Sequence, residues 1–321
     1  MQHLGFGCGR LAGGWDSANS RRLLEAALHN GIRYFDTAPY YGGGDSERLL
    51  GSVLQGSGQP VQICTKVGLY PRPMTGRARA RSFAVASLRA ALPDFALRRL
   101  KRRARQRDNN GAPRSYGSFN PAAMRVSLER SLEALRCRQV DCLMLHEPAP
   151  SDPQAPAAEA LEGFVKEGKV QRLGVGTYAA LEDLPPFGAV AQFAIGRGTL
   201  IDPAGRSLII HGLLRNADFA KFSIAVKQAG IDALLPSLSK RCADPLFLSG
   251  LLLNATILGT AVERVIVSSS APKRLTAFLR VSEAIHSELR GAESVDLGSR
   301  MRSAVAAYLG VNIPPSEMLS S

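Results

Sequence analysis

The chain has 321 residues, of which 45% are hydrophobic and 21% charged, the composition of an ordinary globular protein able to bury a large core without staples. Its apolar runs are far too short to span a bilayer. The net charge is +13, but residues 71–116 hold thirteen basic residues against Asp94 and Asp108, so +11 of it sits in one segment and the body is nearly neutral, a weak indication of a nucleic-acid-binding fold.

Strand and helix signals alternate along the chain. Leu4–Cys8 reads as a short buried strand. Ser17–Asn30 reads as a helix, with Leu23, Leu24, Ala27 and Leu28 at helical spacing and Gly31 as its stop. "IRYFD" is the second strand. A helix follows over Asp45–Leu54, capped by Asp45 or Ser46. Val61–Lys66 is the third strand. The arginine-rich stretch 71–116 then breaks the rhythm. The pattern resumes with a helix over Asn120–Arg136, which opens on an asparagine cap and a first-turn proline. Val140–His146 is a continuously apolar strand, as expected when both faces are buried. Ala157–Glu167 is a helix, and "VQRLGVG", "AVAQFAI" and "SLIIHG" are three more strands. Helices over Phe219–Ala229 and Pro245–Ala261 precede the last strand, "RVIVSSS", and the last long helix, Pro272–Arg290.

Eight strands alternating with helices predict a parallel α/β fold. Polar residues recur at strand C-termini: Asp36, Lys66, His146, Thr177, His211 and Ser268. In a (β/α)8 TIM barrel those ends meet on one rim, where such folds place their chemistry. The expectation is therefore a single barrel domain over 1–321. It carries a long insertion after the third strand and an irregular segment after the sixth, where the short, glycine- and proline-bearing connection leaves little room for a helix.

Cys8, Cys64, Cys137, Cys142 and Cys242 are scattered, with no CxxC pair, which argues against zinc or a disulfide framework and suits a reducing compartment. The N-terminus has no basic-then-apolar leader pattern, so a cytoplasmic protein is expected. The glycines of "GFGCGRLAGG" lack the GxGxxG spacing of a dinucleotide turn. They read instead as room for close approach of a ligand to the first strand.

Asp36, Lys66 and His146 are the informative set. A lone aspartate can cap a turn, and a lone histidine can be structural. A lysine ending a buried strand is costly without a partner, and an aspartate on the neighbouring strand is a natural one. Three such residues on three successive strands point to a site. The segment "DTAPYYGGGD" adds two adjacent tyrosines, and its pattern alone does not say which of them would act.

Taken together, "GIRYFDTAPYYGGGDSERLLG" (Gly31–Gly51), "TKVG", "VDCLMLHEP", "GKVQRLGVG" and "VIVSSSAPKRL" resemble, in order, the motifs of the aldo-keto reductases. The resemblance runs from about Leu4 to about Leu279, apart from the insertion and the stretch after Phe193. It implies the same barrel, NADPH in preference to NADH, and interconversion of an aldehyde or ketone with an alcohol. It also implies a catalytic tetrad of Asp36, Tyr41, Lys66 and His146, with Tyr41 as general acid/base. Tyr40 becomes a pocket wall or packing residue. Lys66 would lower the phenol's pKa, Asp36 would hold Lys66, and His146 would orient the substrate oxygen.

The resemblance further implies cofactor contacts at Ser268 and Ser269, with Arg274 on the 2′-phosphate, where a guanidinium fork suits an oxyanion. Gln192 and Thr177 would meet the nicotinamide carboxamide, and His211 stands where an aromatic ring stacks. Ala277 and Phe278 replace the acid and asparagine usual near adenine, and Gly176 replaces a serine. The eroded contacts and the basic insertion keep a second reading open, a cofactor-binding regulatory or scaffold barrel. The insertion itself has three readings: a solvated lid, a lid for anionic substrates or the pyrophosphate, and a surface for nucleic acid or acidic lipid.

Overall fold

A computed structural model describes residues 2–11, 17–70, 118–178, 180–195, 200, 202, 204–215, 217–231, 241, 243–291, 295–311 and 313. The insertion at 71–116 lies outside them, as does part of the segment after the sixth strand. The strands are β1 (Leu4–Gly7), β2 (Tyr34–Asp36), β3 (Gln62–Val67), β4 (Val140–His146), β5 (Val170–Gly176), β6 (Val190–Ala194), β7 (Ser207–His211) and β8 (Val262–Val267). All pair in parallel and in chain order, and β1 pairs with β8 to close the barrel. This is the expected (β/α)8 architecture. The helices that lie between or after the strands are α1 (Ser17–His29), α2 (Ser46–Ser57), α3 (Pro121–Leu135), α4 (Ala155–Lys166), α5 (Phe219–Gln228), α6 (Pro245–Gly259), α7 (Pro272–Gly291) and α8 (Val295–Leu309). None of the described helices is long and apolar enough to cross a membrane.

Strand side chains alternate between two environments, as a period of two requires. Outward residues such as Phe35, Ile63, Leu143, Val175, Phe193, Ile210 and Val265 join the helices in one apolar core. Inward residues form a smaller cluster of Tyr34, Cys64, Cys142, Met144, Val190, Ile209 and Ile266. Two residues further along the same strands, Asp36, Lys66, His146, Gln192 and His211 line a cavity at the C-terminal mouth. Two residues earlier on β3 and β8, Gln62 and Arg264 line a second cavity at the opposite mouth. The apolar layer thus separates two polar ones. Gly5 lets β1 close against this layer, because a Cβ there would lie 2.5 Å from Ile266 Cδ1 and 2.7 Å from Tyr34 Cδ1.

Among the described residues between β6 and β7 there is no helix; there Arg206 pairs with Asp202, both side chains buried, and donates to the Pro185 carbonyl at 2.6 Å. Other details differ from the sequence reading. Neither candidate cap of α2 bonds its backbone. Asp45 pairs with Arg48, and the Ser46 hydroxyl lies 3.2 Å from that of Thr37. The C-terminal helix α8 was not anticipated, although Leu297, Met301, Ala304, Val305 and Tyr308 have helical spacing and are buried. Gly298 interrupts its propensity, and packing against α5 and α6 outweighs that. α6 is apolar on every side because α5, α7, α8 and β8 all pack on it.

The tightest helix contact is set by Gly51 of α2. A Cβ there would lie 2.4 Å from the Ala134 carbonyl oxygen and 2.7 Å from the Leu135 carbonyl carbon of α3. Since that obstacle is backbone, Gly51→Ala should destabilise the protein by about 1–3 kcal/mol, seen as a lower urea midpoint at unchanged slope. An unchanged midpoint would show that α2 and α3 separate freely.

Candidate active site

The C-terminal mouth holds a cavity of about 510 Å³. At its base the Lys66 ammonium pairs with the Asp36 carboxylate and donates to the Thr37 carbonyl at 3.1 Å. Lys66 is 3% exposed and Asp36 5%. Burial pulls the lysine's pKa down, but Asp36 and Tyr41 outweigh it and hold the ammonium well above its usual range. Nearby, the buried Glu47 carboxylate accepts from the hydroxyls of Thr65 and of Ser131 (3.1 Å).

Tyr41 lies directly over this pair, with the Lys66 ammonium 5.1 Å from the centre of its ring. Its ring meets His146 edge-on, with centroids 5.8 Å apart. Gly9 lies against it, and a Cβ there would meet the ring at an ordinary contact distance of 3.5 Å. Tyr40, adjacent in sequence, is 53% exposed and does not line the cavity. It is neither the pocket wall nor the packing residue expected. The following Gly42, Gly43 and Gly44 have φ values of 61°, 68° and 99° and make a left-handed turn that returns the chain to α2.

The phenol's electrostatics also differ from expectation. Lys66 does lower the Tyr41 pKa, but burial raises it more, and Asp36 and Tyr178 add to the rise. Without a ligand the phenol is firmly protonated. His146 is the reverse case: burial, Lys66 and His211 push its pKa down from 6.5 to about 3, so the imidazole is neutral. Its buried Nδ1 has no hydrogen-bond partner among the described residues.

A group that the sequence reading missed controls the next wall. Glu147, after β4, has φ 54°, and apart from the helix-capping Arg136 it is the one positive-φ residue other than glycine among those described. Its carboxylate accepts from the Thr177 hydroxyl at 2.7 Å and the Tyr178 amide at 2.9 Å. Thr177 was expected to donate to a ligand, yet its hydroxyl already donates here. The Thr177 carbonyl accepts from His211 Nε2 at 3.1 Å, and the Tyr178 ring packs edge-on against His211 at 4.7 Å. His211 therefore has one ring edge occupied by protein. The cue in the sequence was a charged residue directly after His146. Gln192 is buried in the same wall, its Oε1 3.2 Å from where a Cβ on Gly176 would sit.

The far end of the cavity is formed by Ser268, Ser269 and Arg274, where β8 runs into α7. Ser269 Oγ accepts from the Ala271 amide at 3.2 Å, and Arg274 is exposed in the first turn of this 20-residue helix. Such a terminus, with an arginine beside it, suits a phosphate. Phe278 is buried and lines the cavity beyond. All ten residues expected at the site thus line one cavity.

Residues 3–184 match the Aldo/keto reductase family. The chain belongs to that family. Among its curated relatives it is 33% identical over 181 residues to D-threo-aldose 1-dehydrogenase from a Pseudomonas species, covering 54% of this chain and 49% of that one. It is 27% identical over 183 residues to the aldo-keto reductase YhdN of Bacillus subtilis, 57% and 44% of the two chains. It is 26% identical over 226 residues to 6-dehydroglucose reductase from Agrobacterium fabrum, 68% and 63%. The chain spans about half the length of the first curated relatives it matches. Among solved structures, an aldo-keto reductase from Bacillus halodurans in its holo form superposes with a TM-score of 0.59 at 19% identity, over 95% of this chain and 92% of that one. Glycerol dehydrogenase from Gluconobacter oxydans gives 0.57 at 18%, over 98% and 94%. At these identities the structures establish the fold. The aldo/keto reductase match contains Asp36, Tyr41, Lys66, His146 and Thr177, whereas Gln192, His211, Ser268, Ser269 and Arg274 lie beyond it.

The buried imidazole leaves a measurable trace. Folded His146 takes a proton only at about pH 3, whereas an unfolded histidine does so near 6.5. Between these values the unfolded chain binds more protons, so this contribution to stability is full above pH 6.5 and is lost as pH falls toward 3. At pH 5 the loss should be about 2 kcal/mol. Urea unfolding at pH 7 and pH 5 should show that decrement in the wild type and a smaller one in His146→Asn; equal decrements would place the histidine's charge elsewhere.

Proposed function

We propose that this chain is an oxidoreductase that interconverts an aldehyde or ketone with its alcohol, using NADPH in preference to NADH. The observation that carries the reading is the cluster of Asp36, Lys66, Tyr41 and His146 at one end of a cavity whose other end holds Arg274 and the start of α7. Two features of the cavity fit the cofactor: the helix terminus with Ser268, Ser269 and Arg274 for phosphate groups, and the buried Gln192 amide beside Gly176 for a carboxamide. The nicotinamide, when bound, supplies or accepts the hydride.

The remaining work falls to side chains of the protein. Neutral His146 orients the carbonyl oxygen by hydrogen bonding, a role its place in the cavity lining supports. Tyr41 gives that oxygen a proton as it becomes an alkoxide, and takes one back in the reverse direction. A phenol held above its usual pKa keeps its proton until a stronger base forms beside it, and an alkoxide is such a base. Lys66 then stabilises the phenolate left behind, while Asp36 fixes the ammonium in place. Burial of the pair makes the field at the phenol strong. The names of the Pseudomonas and Agrobacterium relatives favour a sugar-like substrate.

The test follows NADPH absorbance with a panel of aldehydes and aldoses. Tyr41→Phe should lower kcat about 10²-fold or more, whereas Tyr40→Phe should stay within a few-fold of wild type. Undiminished turnover in Tyr41→Phe would overturn the assignment, and NADPH binding without turnover of any carbonyl would favour the regulatory barrel. Separately, Arg274→Ala should raise KM for NADPH about tenfold and leave KM for NADH unchanged, as loss of a charge-assisted phosphate contact requires. Equal effects on both cofactors would remove Arg274 from the 2′-phosphate.

A further inference from the structure

The opposite mouth of the barrel is built unlike a barrel floor. Such floors are usually filled by apolar side chains. Here a cavity of about 290 Å³ is lined by Gln2, Leu4, Gly31, Arg33, Gln62 and Arg264. Arg264 stands two residues before Ile266 on β8, so it points into the barrel, and it is 8% exposed. Its guanidinium carbon lies 4.3 Å from the centre of the Tyr34 ring, which closes the space above it.

The charges here do not balance. Arg264 Nη1 donates to the Gln2 carbonyl and Nη2 to Gln62 Oε1 at 3.3 Å, both neutral acceptors. Its one ion-pair partner among the described residues is the neighbouring Glu263, at 3.5 Å, and Arg172 shares that carboxylate at 3.3 Å. Arg33 is bound to the carbonyls of Leu28 and Ile32 at 2.8 and 3.0 Å, with no carboxylate beside it among the described residues. Two guanidinium groups therefore share one carboxylate, and the third, Arg33, has none among the described residues. Asp141, the nearby acid of β4, accepts from the Ile63 amide at 2.7 Å and does not line the cavity. In addition, Arg264 Nε is buried with no hydrogen-bond partner among the described residues. A buried guanidinium is costly unless its charge and its donors are met.

We propose that the N-terminal mouth of the barrel binds a small oxyanion of phosphate type between Arg33 and Arg264. The anion supplies the missing negative charge between the two guanidinium groups, while the Gln2 and Gln62 side chains complete a polar cradle. The site is separated from the candidate active site by the apolar layer of the barrel, and it stands whether or not the oxidoreductase reading does.

Thermal unfolding of the full chain saturated with NADPH, titrated with inorganic phosphate and compared with sodium chloride at equal ionic strength, tests this. The wild type should show a saturable rise in Tm with phosphate that chloride does not reproduce. Arg33→Met should weaken the phosphate midpoint about tenfold, and Arg264→Met should abolish the response. Arg264→Lys, which keeps the charge, guards against a variant that fails to fold and should retain a weakened response. Arg274→Ala, at the other mouth, should respond like wild type. No rise beyond chloride, equal rises in wild type and Arg33→Met, or a rise lost in Arg274→Ala instead, would each overturn the proposal.

Discussion

The rim of this barrel is organised around one requirement: an ammonium placed where water does not reach must be neutralised at short range. Lys66 lies near the end of β3, two residues beyond the buried Cys64, and Asp36 on the neighbouring strand is the carboxylate that meets it. That pairing only works if β2 and β3 hold a fixed register, with Asp36 opposite Cys64 and two residues short of Lys66. A one-residue slip would turn the aspartate outward among Phe35 and Ile63. The ion pair therefore sets strand register as well as charge, and Tyr41, His146 and Glu47 are arranged around it.

Much of this was legible from residue order, and the reason is the alternation of strands. The continuous run Val140–His146 and the β-branched stretch ending at Lys66 are unmistakable, and strands of a closed barrel must bring their C-termini together. Asp36, Lys66 and His146 lie at or near the ends of such strands, and Tyr41 follows in the loop after β2. What was not legible came from contacts between loops. Nothing local distinguishes Tyr40 from Tyr41 except the way the left-handed glycine turn rotates one phenol outward and the other over Lys66. Thr177 looks like a free donor until the unusual backbone at Glu147 brings a carboxylate to it. Arg264 reads as an ordinary charged strand residue until the inward phase of β8 is known.

The electrostatics of the rim show why a motif does not determine a pKa. The same ammonium that favours a phenolate also pushes the neighbouring imidazole toward neutrality, and burial opposes charge on both. The result is a cluster in which one charge pair is permanent and the two groups facing the cavity are neutral. Such a site is polar without carrying net charge at its base, so a developing negative oxygen would meet a prepared positive field with little reorganisation.

Closure of the barrel joins residues near the two ends of the described chain: Leu4, Gly5 and Phe6 of β1 pair with Val265, Ile266 and Val267 of β8. α6, apolar on all sides, precedes α7 and α8, the helices that cover much of it. During synthesis the edge of β1 that β8 covers, and the faces of α6 that β8, α7 and α8 cover, emerge before those partners exist. Closure of the barrel thus waits for residues 262–309, and until they emerge a strand edge and part of an apolar helix stay exposed.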